Sequence, residues 1–259
     1  MSVELAYQLT GNSVDNPTIV LLGSLGSDRS MWNPQVTALS ATHAVLTVDL
    51  RGHGESPTPT GPYSIRSLAG DVVALLDKLE LTSVDLVGLS LGGAIAQSIA
   101  VDHSDRVRTL TLICTAARFG VPQGWIDRAA AVRSNGTGSI AATVVSRWYT
   151  TDYAAQHPDL IARSVSMIEN TDDEGYASCC EAIAGWDGRD DLARISAPTL
   201  VIAGEQDPAT TPADLRIISE VIPNSVLHVL DPAAHLASVE QADRVNALVT
   251  DHITTAART

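Results

Sequence analysis

At 259 residues, with 45% hydrophobic and 18% charged side chains, the chain is long enough for one large α/β domain or two small ones and has a soluble, globular composition. A formal net charge of −14 argues against nucleic acid and anionic membranes as partners, and no apolar run nears the ~20 residues that span a bilayer. Three cysteines (Cys114, Cys179 and Cys180) are too few and too badly spaced for a disulfide framework or a zinc site; Met1-Ser2-Val3-Glu4 shows no secretory pattern, so a cytoplasmic location is expected.

Val3 to Leu9 alternates like a strand and leads into a turn signal at Gly11-Asn12. Thr18 to Leu22 is a fully apolar strand, and His43 to Val48 is the next, running into Asp49-Leu50-Arg51-Gly52-His53-Gly54-Glu55-Ser56. After a Pro/Gly-rich loop, Ser64 caps an amphipathic helix that reaches about Leu79. Ser83 to Val87 is a short buried strand, Ala94 to Ala100 an Ala-rich helix, and Val107 to Ile113 a further strand. Thr199 to Ala203 and Val226 to Leu230 are two more strands, each followed by helical sequence, and the tail Thr254 to Thr259 is expected to fray. Short apolar strands alternating with helices predict a mostly parallel sheet covered on both faces, with sites at the carboxyl ends of its strands. Residues 120–190 interrupt that rhythm. They carry helical periodicity, no strand signal and three of the four tryptophans (Trp125, Trp148 and Trp186), and read as a helical cap inserted into a core of residues 1–119 and 191–259. Cys179 and Cys180, adjacent on a helix, point to different faces and read as small buried hydrophobes.

Between the strand 83–87 and the helix 94–100 lies Gly88-Leu89-Ser90-Leu91-Gly92-Gly93. A strand that reverses into a helix within two residues forces the middle residue into strained dihedrals, and glycines on either side remove Cβ atoms that would clash. This is a nucleophile elbow, which lifts Ser90 Oγ above the sheet edge at a helix N-terminus.

A serine hydroxyl is a weak nucleophile near neutral pH and needs an adjacent base. With such an elbow the chain order is Ser, acid, His. Of the late histidines, His228 lies within a strand and His252 in the closing helix; His235 follows a strand end, where a base can reach Ser90. For the acid, Asp207 stands just beyond the strand Thr199 to Ala203; Glu205 still lies in the tight turn, and Asp231 is too close to His235 in sequence. Asp207 would fix the His235 tautomer and stabilise its imidazolium. An Asp in an ordinary loop before a helix is a common structural feature, but three residues in the required order at three strand ends favour the catalytic reading. The oxyanion hole is expected from the backbone N–H of Leu91 and that of Leu25, in the loop Gly23-Ser24-Leu25-Gly26.

These residues resemble the α/β-hydrolase superfamily, through the elbow and through Asp49-x-Arg51-Gly52-His53-Gly54-x-Ser56, read as a tight, well-bonded turn in which His53 has no catalytic role. A finer resemblance, over nearly the whole chain, is to the 3-oxoadipate enol-lactonases. It rests on Ser24-Leu25-Gly26, Met31 to Gln35, Gly61 to Ser64, Gly88 to Gly93, Thr115 to Gly120, Arg147 to Thr150, Glu174 to Ala182 and Asp207 to Thr210. Gly23-Ser24 replaces the His-Gly common in the superfamily's oxyanion loop, and this departure is itself similar to the enol-lactonases. The resemblance implies a mostly parallel eight-stranded sheet with a cap, opening of an enol-lactone through an acyl-enzyme, no cofactor and no metal. It implies the lactonase alone, without the fused decarboxylase domain of some relatives. A homo-oligomer is left open.

The implied substrate is a small anionic lactone carrying a carboxylate, so in so acidic a protein a local arginine must meet it. The cap offers Arg128, Arg133 and Arg147; Arg133 is the first choice and Arg147 the second, with Trp148 as a pocket wall. A general carboxylesterase and a C–C bond hydrolase of ring-cleavage products share the same three residues. A small-molecule receptor without turnover is the alternative from another class. Epoxide hydrolases and dehalogenases are disfavoured because their elbow carries Asp.

Overall fold

The computed structural model describes residues 2–11 and 16–256. Seven strands form one sheet among these residues: β1 (Tyr7–Thr10), β2 (Ile19–Leu22), β3 (Val45–Val48), β4 (Val84–Leu89), β5 (Val107–Ile113), β6 (Thr199–Gly204) and β7 (Ser225–Leu230), in the order β1-β3-β2-β4-β5-β6-β7. Only β1 runs antiparallel, against β3. Strands β2, β3, β4 and β6 are buried along their whole length, which is why they read as unbroken apolar runs. Helix α1 spans Asn33–Leu39, α2 Ile65–Lys78, α3 Leu91–Asp102, α9 Pro212–Val221, α10 Ala237–Glu240 and α11 Ala242–Ala256; α4 to α8 lie between β5 and β6. Flanking the sheet, α1 packs with α11 and α2 with α3. Ser64 caps α2 as the sequence predicts, its Oγ accepting from Ser67 N–H while Ser67 Oγ accepts from Ser64 N–H.

The eight strands implied by the resemblance are therefore corrected to seven. The alternating stretch from Val3 begins to pair only at Tyr7, because the polar groups ahead of it are held outside the ladder. Val3 N–H donates to Asp71 Oδ1 at 2.8 Å, Ala6 N–H to Ser56 Oγ at 2.8 Å, and the Ala6 carbonyl accepts from Asp49 N–H at 2.9 Å. Asn12 of the expected turn and residues 257–259 of the expected frayed tail lie outside the described residues; up to Ala256 the chain is helical.

Between β5 and β6 run α4 (Pro122–Asn135), α5 (Ala141–Val145), α6 (Thr151–Gln156), α7 (Pro158–Glu169) and α8 (Asp173–Ala184). The closest packing there joins α4 to α8. All three cysteines are buried and unbonded to one another, and burial pushes their thiols up, that of Cys180 to about 12. Among the described residues no helix is long and apolar enough to cross a membrane.

The strand order turns back between β2 and β4, so the loops after these two strands leave in different directions and open a crevice at the sheet's carboxyl edge. Ser24 and Leu25 follow β2, Ser90 follows β4, Asp207 follows β6 and His235 follows β7. Four separate strand ends thus deliver four parts of one site.

Candidate active site

Ser90 sits between β4 and α3 with φ +56° and ψ −114°, a conformation that L-residues adopt only under constraint. Its N–H donates to the Ile113 carbonyl at 3.0 Å, and its carbonyl accepts from Thr115 Oγ1 at 2.7 Å. The bend needs glycine at two points: a Cβ on Gly88 would lie 2.3 Å from the Gly92 carbonyl oxygen, and one on Gly92 would lie 2.2 Å from that of Leu22. The strained serine predicted from the sequence is therefore held by backbone contacts on both sides.

Asp207 and His235 meet. Asp207 Oδ2 lies 2.8 Å from His235 Nδ1 and accepts from Thr210 Oγ1 at 2.7 Å, while Oδ1 accepts from the N–H groups of Ala209 (2.8 Å) and Thr210 (3.2 Å). Burial alone would push this carboxyl up. The charge and hydrogen bond of His235, with the bonds from Thr210 and Ala209, outweigh it and hold the pKa below the ordinary value. Because the carboxylate only accepts, Nδ1 carries a proton toward it, which leaves Nε2 as the nitrogen that can take a proton when the ring is neutral. Both side chains are almost wholly buried. The competing acids are engaged elsewhere: Glu205 is exposed, and Asp231 accepts from Gln206 Nε2 at 2.6 Å. His252 Nε2 lies 3.1 Å from the Pro198 carbonyl oxygen.

Ser90 and His235 border the same cavity, of about 260 Å³, although no hydrogen bond joins Ser90 Oγ to the imidazole among the described residues. That volume is at the small end for a ligand pocket. Ser24 and Leu25 line it beside Ser90, and Leu91 opens α3 immediately after the serine. Among the described residues no acceptor takes the N–H of Leu25 or of Leu91.

The remaining wall comes from the helices between β5 and β6: Trp125 and Arg128 of α4, Arg147 and Trp148 just after α5, and Tyr176 of α8. Arg128 lies over the Trp125 ring, 4.7 Å from its centroid. Neither Arg128 nor Arg147 has an acidic partner within salt-bridge distance among the described residues, and Arg128 lies beside the buried Tyr176 hydroxyl. Trp148 is the expected wall, and its carbonyl accepts from Leu236 N–H at 2.8 Å, clasping the loop that carries His235. Glu240 tightens the clasp by accepting from Ala234 N–H at 3.0 Å and from the Thr150 hydroxyl.

Arg133 is the expectation the structure corrects. It does not line the cavity. Its Nε lies 2.8 Å from Glu174 Oε2 and its Nη1 2.5 Å from Glu181 Oε1, two carboxylates two turns apart on α8. That pairing, with help from Ser178, holds the Glu174 carboxyl down at about 2. Sequence reasoning also gave no role to Thr210, Tyr176 or Glu240. Only Thr210 carries a local signal, since an Asp followed three residues later by Thr is a common turn in which side chain and backbone N–H share the carboxylate.

Comparison with known proteins sets the site in a family. Residues 17–242 match the family model described as alpha/beta hydrolase fold. The chain is 41% identical to the 3-oxoadipate enol-lactonase 2 of Acinetobacter baylyi, over 94% of this chain and 91% of that one. It is 35% identical to the 3-oxoadipate enol-lactonase 1 of the same organism, over 93% and 89%. This chain belongs to the α/β-hydrolase family, with the 3-oxoadipate enol-lactonases. The solved enol-lactonase of Burkholderia xenovorans LB400 superposes with a TM-score of 0.94 at 42% identity, covering 96% of each chain. Its kinship with the enol-lactonases, which are lactone hydrolases, makes this chain an enzyme of the carboxylic-ester hydrolase class.

Proposed function

We propose that this α/β hydrolase opens 3-oxoadipate enol-lactone to 3-oxoadipate, with Ser90 as nucleophile, His235 as base and Asp207 as its orienting acid. The observation that carries the reading is the composition of one small cavity. It holds a strained serine, an imidazole anchored by a carboxylate, and two guanidinium groups with no acidic partner among the described residues, in a protein of net charge −14. Residues 1–119 and 191–259 act as the catalytic core in this reading, and residues 120–190 as a cap that selects the substrate.

Ser90 Oγ attacks the ring carbonyl while His235 Nε2 takes its proton, a contact that is often loose in the free enzyme and tightens with substrate bound. The carbonyl oxygen becomes an oxyanion and is met by the N–H groups of Leu91 and Leu25. Asp207 stabilises the imidazolium without taking its proton. Collapse breaks the acyl C–O bond, and the departing enol oxygen receives the proton from His235. An enolate is a better leaving group than a simple alkoxide, and conversion of enol to ketone draws the reaction forward. Water, deprotonated by His235, then attacks the acyl-enzyme and releases the acid and Ser90. Arg128, braced on Trp125, and Arg147 meet the substrate carboxylate, while the Tyr176 hydroxyl offers a further donor.

The test is a comparison of three substrates with purified protein: the enol-lactone, a neutral ester and a dienoate ring-cleavage product. The enol-lactone should have the highest kcat/KM, and Ser90→Ala should lower turnover on the order of 10⁴-fold or more. Preferred cleavage of the dienoate would contradict the lactone assignment. Turnover of more than a few per cent in Ser90→Ala would contradict the serine mechanism.

A further inference from the structure

Of the two proposed oxyanion donors, Leu91 N–H is held by the helix it opens, whereas Leu25 N–H belongs to a short loop. Residues Ser24 to Ser27 form a turn closed by Ser27 N–H donating to the Ser24 carbonyl at 3.2 Å. Gly26 has φ +78° and Leu25 has no positive φ, the signature of a type II turn. Type I and type II turns differ chiefly by rotation of the central peptide, here that between Leu25 and Gly26, and such a rotation changes ψ at Leu25. The Leu25 N–H itself lies on the preceding peptide, so what keeps it at the cavity is the anchoring of the turn as a whole.

The N–H of this central peptide, on Gly26, donates to His53 Nε2 at 2.9 Å. The other ring nitrogen, Nδ1, is 3.1 Å from the Arg51 carbonyl oxygen, which can only accept, so Nδ1 carries the proton and Nε2 presents a lone pair. His53 is buried, and burial pushes its pKa down, which favours the neutral ring this bond requires. The turn that carries the ring is itself wedged in place. Arg51 pairs with the buried Asp71 through Nη2 to Oδ1 at 2.6 Å and Nε to Oδ2 at 2.7 Å. Gly52 abuts Gly175 of α8 so closely that a Cβ on either would lie 2.5 Å from the other's Cα. On the far side of the loop, Arg29 N–H donates to Asp49 Oδ1 at 2.7 Å. His53 lies outside the cavity lining and touches no reacting group.

We infer that His53 is a positioning residue for hydrolysis: its Nε2 lone pair anchors the turn through the buried Gly26 N–H, which would otherwise lack an acceptor, and so keeps the turn that carries the Leu25 N–H at the oxyanion hole. The inference rests on the reading of Ser90 as nucleophile and Leu25 as donor. An apolar side chain would fill the same volume without burying a polar ring, so the acceptor is what the imidazole specifically adds.

Two substitutions separate the two ring nitrogens. His53→Asn retains a donor near Nδ1 for the Arg51 carbonyl but cannot reach Gly26, whereas His53→Gln places a carbonyl oxygen near Nε2. The readouts are kcat and KM for a hydrolysed ester or lactone, the affinity for a boronic acid whose tetrahedral adduct on Ser90 fills the oxyanion hole, and the thermal midpoint. His53→Asn should lower kcat on the order of 10²-fold, the scale of losing one oxyanion donor, with KM within about twofold. Boronate affinity should fall by a similar factor, and His53→Gln should recover most of both. If the two variants lose kcat and boronate affinity equally, or only in step with their thermal midpoints, the assignment is overturned. It is equally overturned if His53→Asn matches the wild type in both. Hydrolysis that survives Ser90→Ala would instead remove the reading on which the inference stands.

Discussion

The sheet-borne wall of the cavity and the wall built by α4 to α8 are held in place by different physics. On the sheet side, backbone sterics and saturated hydrogen bonding leave each group one position: Ser90 between two glycines, and Asp207 with four donors on its carboxylate. On the helical side the placement comes from charge pairing and aromatic packing between helices. Arg133 is drawn to Glu174 and Glu181, while Arg128 stays over Trp125. In the proposed reading, the chemistry stands on the sheet-borne side and the selection of substrate on the helical layer.

That contrast can be broken most sharply at the carboxylate. Asp207→Asn leaves the volume unchanged but removes the acceptor that fixes the Nδ1–H tautomer, so kcat should drop on the order of 10⁴-fold for every ester tested. A loss confined to the anionic lactone would assign Asp207 to binding rather than to the relay. The helical wall should respond in the opposite pattern. Arg128→Ala should cut kcat/KM for the carboxylate-bearing lactone about 10- to 100-fold, the range for a lost charge-assisted hydrogen bond, and leave a neutral ester nearly unchanged. Arg133→Ala should leave both substrates alone. Its effect should be on stability, at most about 1 kcal/mol for so exposed a pair. The sign follows from Glu174, whose carboxyl is held at about 2 in the folded protein against an ordinary 4.5. The stabilisation is complete above pH 4.5 and is lost as the pH falls toward 2, so wild type and Arg133→Ala should converge in denaturant midpoint over that window. A gap that widens on acidification would refute the latch.

The same contrast explains what could be read in advance. Ser90 was legible because the steric bans around it leave glycines at Gly88 and Gly92, and Asp207 and His235 because the chain must place them at successive strand ends. The strands β2 to β7 announced themselves as apolar runs. The start of β1 at Tyr7 was not legible, since it is decided by side chains of Asp71 and Ser56 far along the chain. Arg133 failed for the same reason: its partner Glu174 is 41 residues away, and no local pattern says which helix α4 will pack against. No local pattern marks Tyr176 or Trp125 as pocket residues, and only the packed cavity shows which face they present to it.

The most direct measurement is the mass of a trapped intermediate. A lactone keeps its leaving group attached when the ring opens, so an acyl-enzyme at Ser90 must carry the whole substrate. Rapid acid quench of the wild-type protein with enol-lactone, followed by peptide mass analysis, should show the Ser90 peptide heavier by one complete substrate, and Ser90→Ala should show none. Full turnover with no adduct on that peptide, in a protein whose His235→Ala variant also fails to accumulate one, would contradict the account.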